Sequence, residues 1–117
     1  MGTLNPRVIE ELRSLQTEGS SGFVAELIDL FTKEAVQHLS NLRAGVERRD
    51  ATLVERSAHT LKGSSGNLGA EGLSRLAAQL QTLARTPDWD RIAALVGDLE
   101  REWVLVEADL RSERDRP

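Results

Sequence analysis

His38 and His59 are the only imidazoles in a chain of 117 residues that contains no cysteine. Without cysteine there are no disulfides, thiol nucleophiles or thiolate metal sites, and two isolated histidines do not form a metal-binding pattern. Carboxylate pairs such as Glu10-Glu11 follow helix faces and converge on no cleft, so hydrolase chemistry has no support. His59 stands apart because of the residues on its C-terminal side. Lys62 lies one helical turn away, and Gly63, Gly66, Gly69 and Gly72 recur at every third position beyond. An ordinary exposed imidazole, with a reference pKa of about 6.5, is largely neutral at pH 7 and offers a ring lone pair without a general base. An imidazole, a nearby ammonium and an approach cleared of side chains together suit a phosphoryl acceptor.

The glycine run has three readings. The helix can end at Gly63, with the glycine closing its last turn in a left-handed conformation. A phosphate-cradling loop needs G-x-x-x-x-G-K-[ST] after a strand, and neither is present. In the third reading the chain stays helical past Gly63, and glycine and serine keep one face flat for another backbone or a phosphoryl group. On such a helix Glu55, His59, Lys62, Gly63 and Gly66 share a face, while Ala58 and Leu61 turn into the core.

The elements that would carry this face are helical. Asn5-Pro6 predicts a capped start and a short helix over 6–16. Gly19-Ser20-Ser21-Gly22 breaks it. From Phe23 the row Phe23, Leu27, Leu30, Phe31, Ala35, Leu39, Leu42 and Val46 predicts an amphipathic helix of about seven turns. Gly45 near its end costs about 1 kcal/mol relative to alanine. Asp50 caps a third helix with Leu53, Val54, Ala58, Leu61 and Leu68 inward, and so short a connection makes an antiparallel hairpin. Leu73, Leu76, Ala77, Leu80, Leu83 and Ala84 mark a fourth helix. Thr86 and Pro87 are read as the cap and first residue of a last one, carrying Trp89, Ile92, Leu95, Val96, Leu99, Trp103, Val106 and Leu110. Asp88 and Asp90 suit its N-terminal dipole. The pattern predicts one all-α domain over 1–117, an antiparallel up-down four-helix bundle with a short extra N-terminal helix as a lid. Its core spans about 20–110, and a charged tail over 111–117 is expected to fray.

Composition narrows the partners. The formal net charge is −4, whereas a surface for nucleic acid needs a clustered basic excess. No stretch of about 18 apolar residues occurs, and the start lacks a basic region followed by an apolar run, so neither membrane insertion nor export is indicated. A cytoplasmic protein, expected to be monomeric, with a protein partner fits these features.

The run from Ala58 through His59, Lys62, Gly63, Ser64, Gly66 and Asn67 to Ala70 closely resembles the signature of histidine-containing phosphotransfer domains. The resemblance extends to the Phe23–Phe31 segment, Asp50 and the following leucine-rich helix, covering about 20–110. It implies a four-helix bundle that shuttles phosphate between receiver-domain aspartates of response regulators, in some systems together with a hybrid sensor kinase. His59 matches the acceptor, Lys62 the lysine that supports the phosphoryl group, and Gly63 the small residue that admits the receiver. Ser64 matches a common polar neighbour. Gln81 matches the glutamine that hydrogen-bonds the ring nitrogen left unphosphorylated, and Arg85 a basic residue at the docking face. On the helical register Ser74, Ala78, Gln81 and Arg85 lie on one side of their helix. The expected docking patch comprises Gly63, Ser64 and Gly66, rimmed by Arg56, Lys62 and Arg85.

The chain is expected to turn nothing over alone, to hold no metal or cofactor of its own, and to rely on Mg²⁺ carried by the receiver. Two other roles fit the same motif. One is the substrate domain of a sensor kinase, phosphorylated from ATP by a separate catalytic domain. The other is a bundle that binds receivers without being phosphorylated.

Overall fold

Helix boundaries in the computed structural model, which describes residues 2–16 and 22–116, follow from their caps. The Asn5 side chain accepts from the Arg7 amide, with Pro6 next, and opens α1 (Pro6–Ser14). The predicted break at 19–22 lies almost wholly outside the described residues; α2 (Phe23–Arg48) begins just beyond it. Arg49 at φ 52° and Asp50 make the whole turn into α3 (Ala51–Asn67), and the Asp50 carboxylate accepts from the Leu53 amide. α4 (Glu71–Arg85) and α5 (Trp89–Arg114) complete the fold. The cap of α5 is Asp88, accepting from the Arg91 amide, not Thr86, and the helix opens at Trp89 rather than Pro87. A carboxylate is the stronger acceptor for free amides at the positive end of the dipole.

α2 packs on α3, α3 on α4, α4 on α5 and α5 back on α2. With such short connections this is the expected up-down antiparallel bundle, and α1 is the short extra helix. The body measures 49 × 23 × 18 Å, the long axis set by helices of 26 residues at about 1.5 Å rise per residue.

The core is aliphatic. Leu42, Leu61, Leu73, Leu80, Ile92 and Leu99 are fully buried, and Phe31 meets Trp103 edge-on at 5.8 Å. In α2 the buried row runs Val24, Ile28, Phe31, Ala35, Leu39 and Leu42, whereas Leu30 is 55% exposed. The row expected from spacing shares Phe31 to Leu42 and departs by one residue toward the N-terminus. There the Phe31–Trp103 contact with α5 decides which face turns in.

The tail expected to fray from 111 is instead helical through Arg114, because residues of α1 and α2 hold it. Arg114 pairs with Asp29 through two hydrogen bonds, 2.6 and 3.0 Å, and Arg116 with Glu10 at 2.9 Å. Arg13 reaches the Glu113 carbonyl and carboxylate. The Thr3 hydroxyl donates to Asp109 at 2.6 Å. That bond, more than any other, holds the Asp109 carboxyl below its ordinary titration range. The Arg114 hydrogen bond does the same for Asp29.

At Gly45 α2 and α3 approach closely, since an added Cβ would stand 2.7 Å from Val54 Cγ2. Its cost in helix propensity is therefore offset by packing. Gly45→Ala should lower the unfolding free energy in urea by about 1–3 kcal/mol through overpacking, despite the propensity gain of about 1 kcal/mol. Val54→Ala in the same background should recover part of that loss.

Candidate functional site

Helix α3 does not stop at Gly63. It runs to Asn67, so Gly63 and Gly66 are interior helical residues. The turn comes at Gly69, whose φ of +79° is a left-handed conformation that favours glycine, and an added Cβ there would press on Val8 and the Asn5 backbone. The Asn5 amide donates to the Gly69 carbonyl at 2.8 Å, tying the start of the chain over this turn. Gly72 gives room to the Glu102 carboxylate, which an added Cβ would meet at 2.7 Å. The four glycines thus do different work, and at Gly63 alone among them a Cβ would meet nothing within 4 Å.

Burial of Val54, Ala58 and Leu61 turns the opposite side of α3 outward. His59 is exposed on it. The seam toward α4 carries three polar contacts in antiparallel register. Arg85 Nε donates to Glu55 Oε2 at 3.3 Å. One turn on, the Gln81 amide reaches His59 Nδ1 at 3.0 Å. Farther along, the Ser74 hydroxyl donates to the Lys62 carbonyl at 2.8 Å. The residues on α4 are those expected on one side of it, and the apolar Leu73, Ala77, Leu80 and Ala84 fill the other.

The amide facing Nδ1 admits two pairings. As placed, Gln81 Nε2 donates to an unprotonated Nδ1, which puts the ring proton on Nε2 of His59. Turned over about its last torsion, the same amide offers Oε1 to an Nδ1–H, which leaves the lone pair on Nε2. Only the second leaves the outward Nε2 nucleophilic, because a protonated ring nitrogen has no free pair.

Around the imidazole lies an open cavity of about 410 Å³ lined by Glu55, Arg56, His59, Thr60 and Gln81. Arg56 is the cation among its lining residues. Lys62 is half-buried and does not line it, and its carbonyl is held by Ser74. Ser64 is half-buried, with its hydroxyl turned back to the Thr60 carbonyl at 3.0 Å, as Thr60 turns to the Arg56 carbonyl at 3.2 Å. These hydroxyls are thereby taken up by their own helix, leaving a smooth outer ridge at Gly63. Gly66 faces Ser74 Oγ, 3.6 Å from where a Cβ would lie.

Sequence reasoning missed roles for Glu55 and Ser74. The signal for Glu55 was its position one turn before His59, matched by Arg85 one turn after Gln81. Nothing in the sequence marks Ser74 as the residue that reaches a backbone carbonyl. Half-buried His38 lies on α2, away from the seam, and among the described residues no three acidic or histidine side chains gather to hold a metal ion.

The model of the Hpt domain matches residues 26–110. The chain belongs to the Hpt family. This Hpt domain is 27% identical over 104 residues to histidine-containing phosphotransfer protein 2 of Arabidopsis thaliana, covering 86% of this chain and 67% of that protein. It is 23% identical over 86 residues to the phosphorelay intermediate protein rdeA of Dictyostelium discoideum, covering 74% of this chain and 34% of that protein. The crystal structure of histidine-containing phosphotransfer protein B from Pseudomonas aeruginosa superposes with a TM-score of 0.89 at 29% identity, over 99% of this chain and 97% of that one. The maize protein ZmHP2 gives 0.86 at 26% identity, over 96% and 87%. As an Hpt domain the chain is a phosphorelay intermediate.

The Gln81 contact makes a spectroscopic prediction. In Gln81→Leu the Nδ1–H form of His59 should lose population, visible in the ¹⁵N shifts of the ring. Any phosphoryl uptake should slow about three- to tenfold, the worth of one hydrogen bond.

Proposed function

We propose that His59 accepts a phosphoryl group on Nε2 from a receiver-domain aspartyl phosphate and passes it to a second receiver. The observation that carries this reading is the Gln81–His59 Nδ1 contact at 3.0 Å, which engages one ring nitrogen and, with the amide oxygen turned to an Nδ1–H, leaves the Nε2 lone pair free. The Nε2 lone pair forms the N–P bond as the P–O bond to aspartate breaks, and that electron pair returns to the carboxylate. The Nδ1 proton stays on the ring, held by Gln81 Oε1, and the phosphorylated ring carries the positive charge. No proton need leave during transfer.

The remaining roles are positioning and charge. Arg56, which lines the cavity, and Lys62, half-buried one turn beyond His59, would offset charge on the phosphoryl oxygens. Mg²⁺ would come with the receiver. Gly63 supports docking by elimination, because glycine inside a helix costs about 1 kcal/mol relative to alanine and no internal contact here demands it. A partner backbone passing over that ridge accounts for it. Gly66 and Ser64 extend the ridge, and Arg85 stands at its edge. Since the catalytic aspartate and metal belong to the partner, this chain is proposed to be a monomeric substrate-like intermediate rather than an enzyme, working in the cytoplasm. No described helix is long and apolar enough to cross a membrane.

Two variants test the proposal against a phosphorylated receiver. His59→Gln should abolish an acid-labile, alkali-stable label while helicity stays unchanged; label persisting on this variant would sink the acceptor assignment. Gly63→Gln keeps His59 but should slow transfer by about tenfold or more through misplacement of the receiver. Unchanged transfer by that variant would remove the docking role of the ridge.

A further inference from the structure

The acceptor cavity contains a group that does not suit an incoming phosphoryl dianion. Glu55 lines it together with His59 and sits four residues before His59 on the α4-facing side of α3, so the two side chains are neighbours along the helix. An unbalanced carboxylate there would repel the phosphoryl group. Arg85 meets it from α4, with Nε on Glu55 Oε2 at 3.3 Å, and does not itself line the cavity.

We infer that Arg85 serves phosphotransfer through Glu55: it neutralises that carboxylate and draws it toward α4, so that His59 meets the phosphoryl group without a facing negative charge. Arg85 is on this view a positioning residue, distinct from a cation that grips the partner. The inference rests on His59 being the phosphoryl acceptor. The charged side chains around His59 are Glu55 and Arg56, which line its cavity, Lys62 one turn on along α3, and Arg85, which reaches Glu55 from α4, beside neutral Gln81. Removing Arg85 changes this set from three cations and one anion to two cations and one anion, with the anion released from its partner. The side chains of Arg85 and Glu55 are 63% and 40% exposed, so the effect is screened by solvent and salt and remains moderate.

The deciding experiment measures the rate of phosphoryl uptake from a phosphorylated receiver by the wild-type chain, R85A, R85K, E55Q and E55Q/R85A, at low and high ionic strength. R85A should be about three- to tenfold slower at low salt, with the deficit shrinking at high salt, and R85K should recover most of the loss. E55Q/R85A should regain the rate of E55Q, since the charge Arg85 neutralises is gone. R85A matching wild type, or E55Q/R85A remaining as slow as R85A, overturns the inference; the latter would make Arg85 a direct docking contact. A wild-type chain that takes up no label on His59 would instead defeat the acceptor assignment itself.

Discussion

The antiparallel seam between α3 and α4 is the constraint on which the site depends. Leucine and alanine on the inner sides of both helices fix their separation and rotation, and only then can short polar side chains meet across the outer edge. Ser74 reaching a backbone carbonyl shows how tight that register is, because a hydroxyl on a single carbon bridges two helices only when they are held in one alignment. A slide of one residue along α4 would separate Gln81 from His59 and Arg85 from Glu55 together. The chemistry is local, but the alignment that permits it is set by the apolar core of all four long helices.

Much of this was legible in the sequence because helical periodicity encodes faces directly. Burial of Ala58 and Leu61 turns His59 outward, and the spacing of Ser74, Gln81 and Arg85 puts them on one side of α4. The start of α2 was less legible, since the rows through Leu27 and through Ile28 both continue into Phe31, and an aromatic contact with a helix distant in sequence selects between them. The C-terminal charges read as a solvated tail because their partners, Asp29, Glu10 and Arg13, lie near the other end of the chain. Composition alone does not say which charges find one another.

The glycine run shows a different limit. Propensity treats Gly63, Gly66, Gly69 and Gly72 alike, yet one is a left-handed turn and three are helical, of which one makes room for a carboxylate. Which is which depends on neighbours from α1, α4 and α5 that the spacing of glycines does not reveal. Glu55 illustrates the same point for charge. It reads as an ordinary solvated helix residue until its position beside the imidazole, and the arginine opposite, give it a consequence.

Gly63 is a glycine that the fold itself does not require. A methyl group there would meet nothing inside the molecule, and alanine would narrow the freedom of the unfolded chain and favour the helix by roughly 1 kcal/mol. If a receiver docks over this ridge as proposed, selection for thermal stability and selection for signalling pull in opposite directions at this one position. A survey that scored variants by melting temperature would rank its replacement among the improvements, and one that scored them by relay output would rank it among the losses. On the proposed docking, the residue records the shape of a second protein in the sequence of the first.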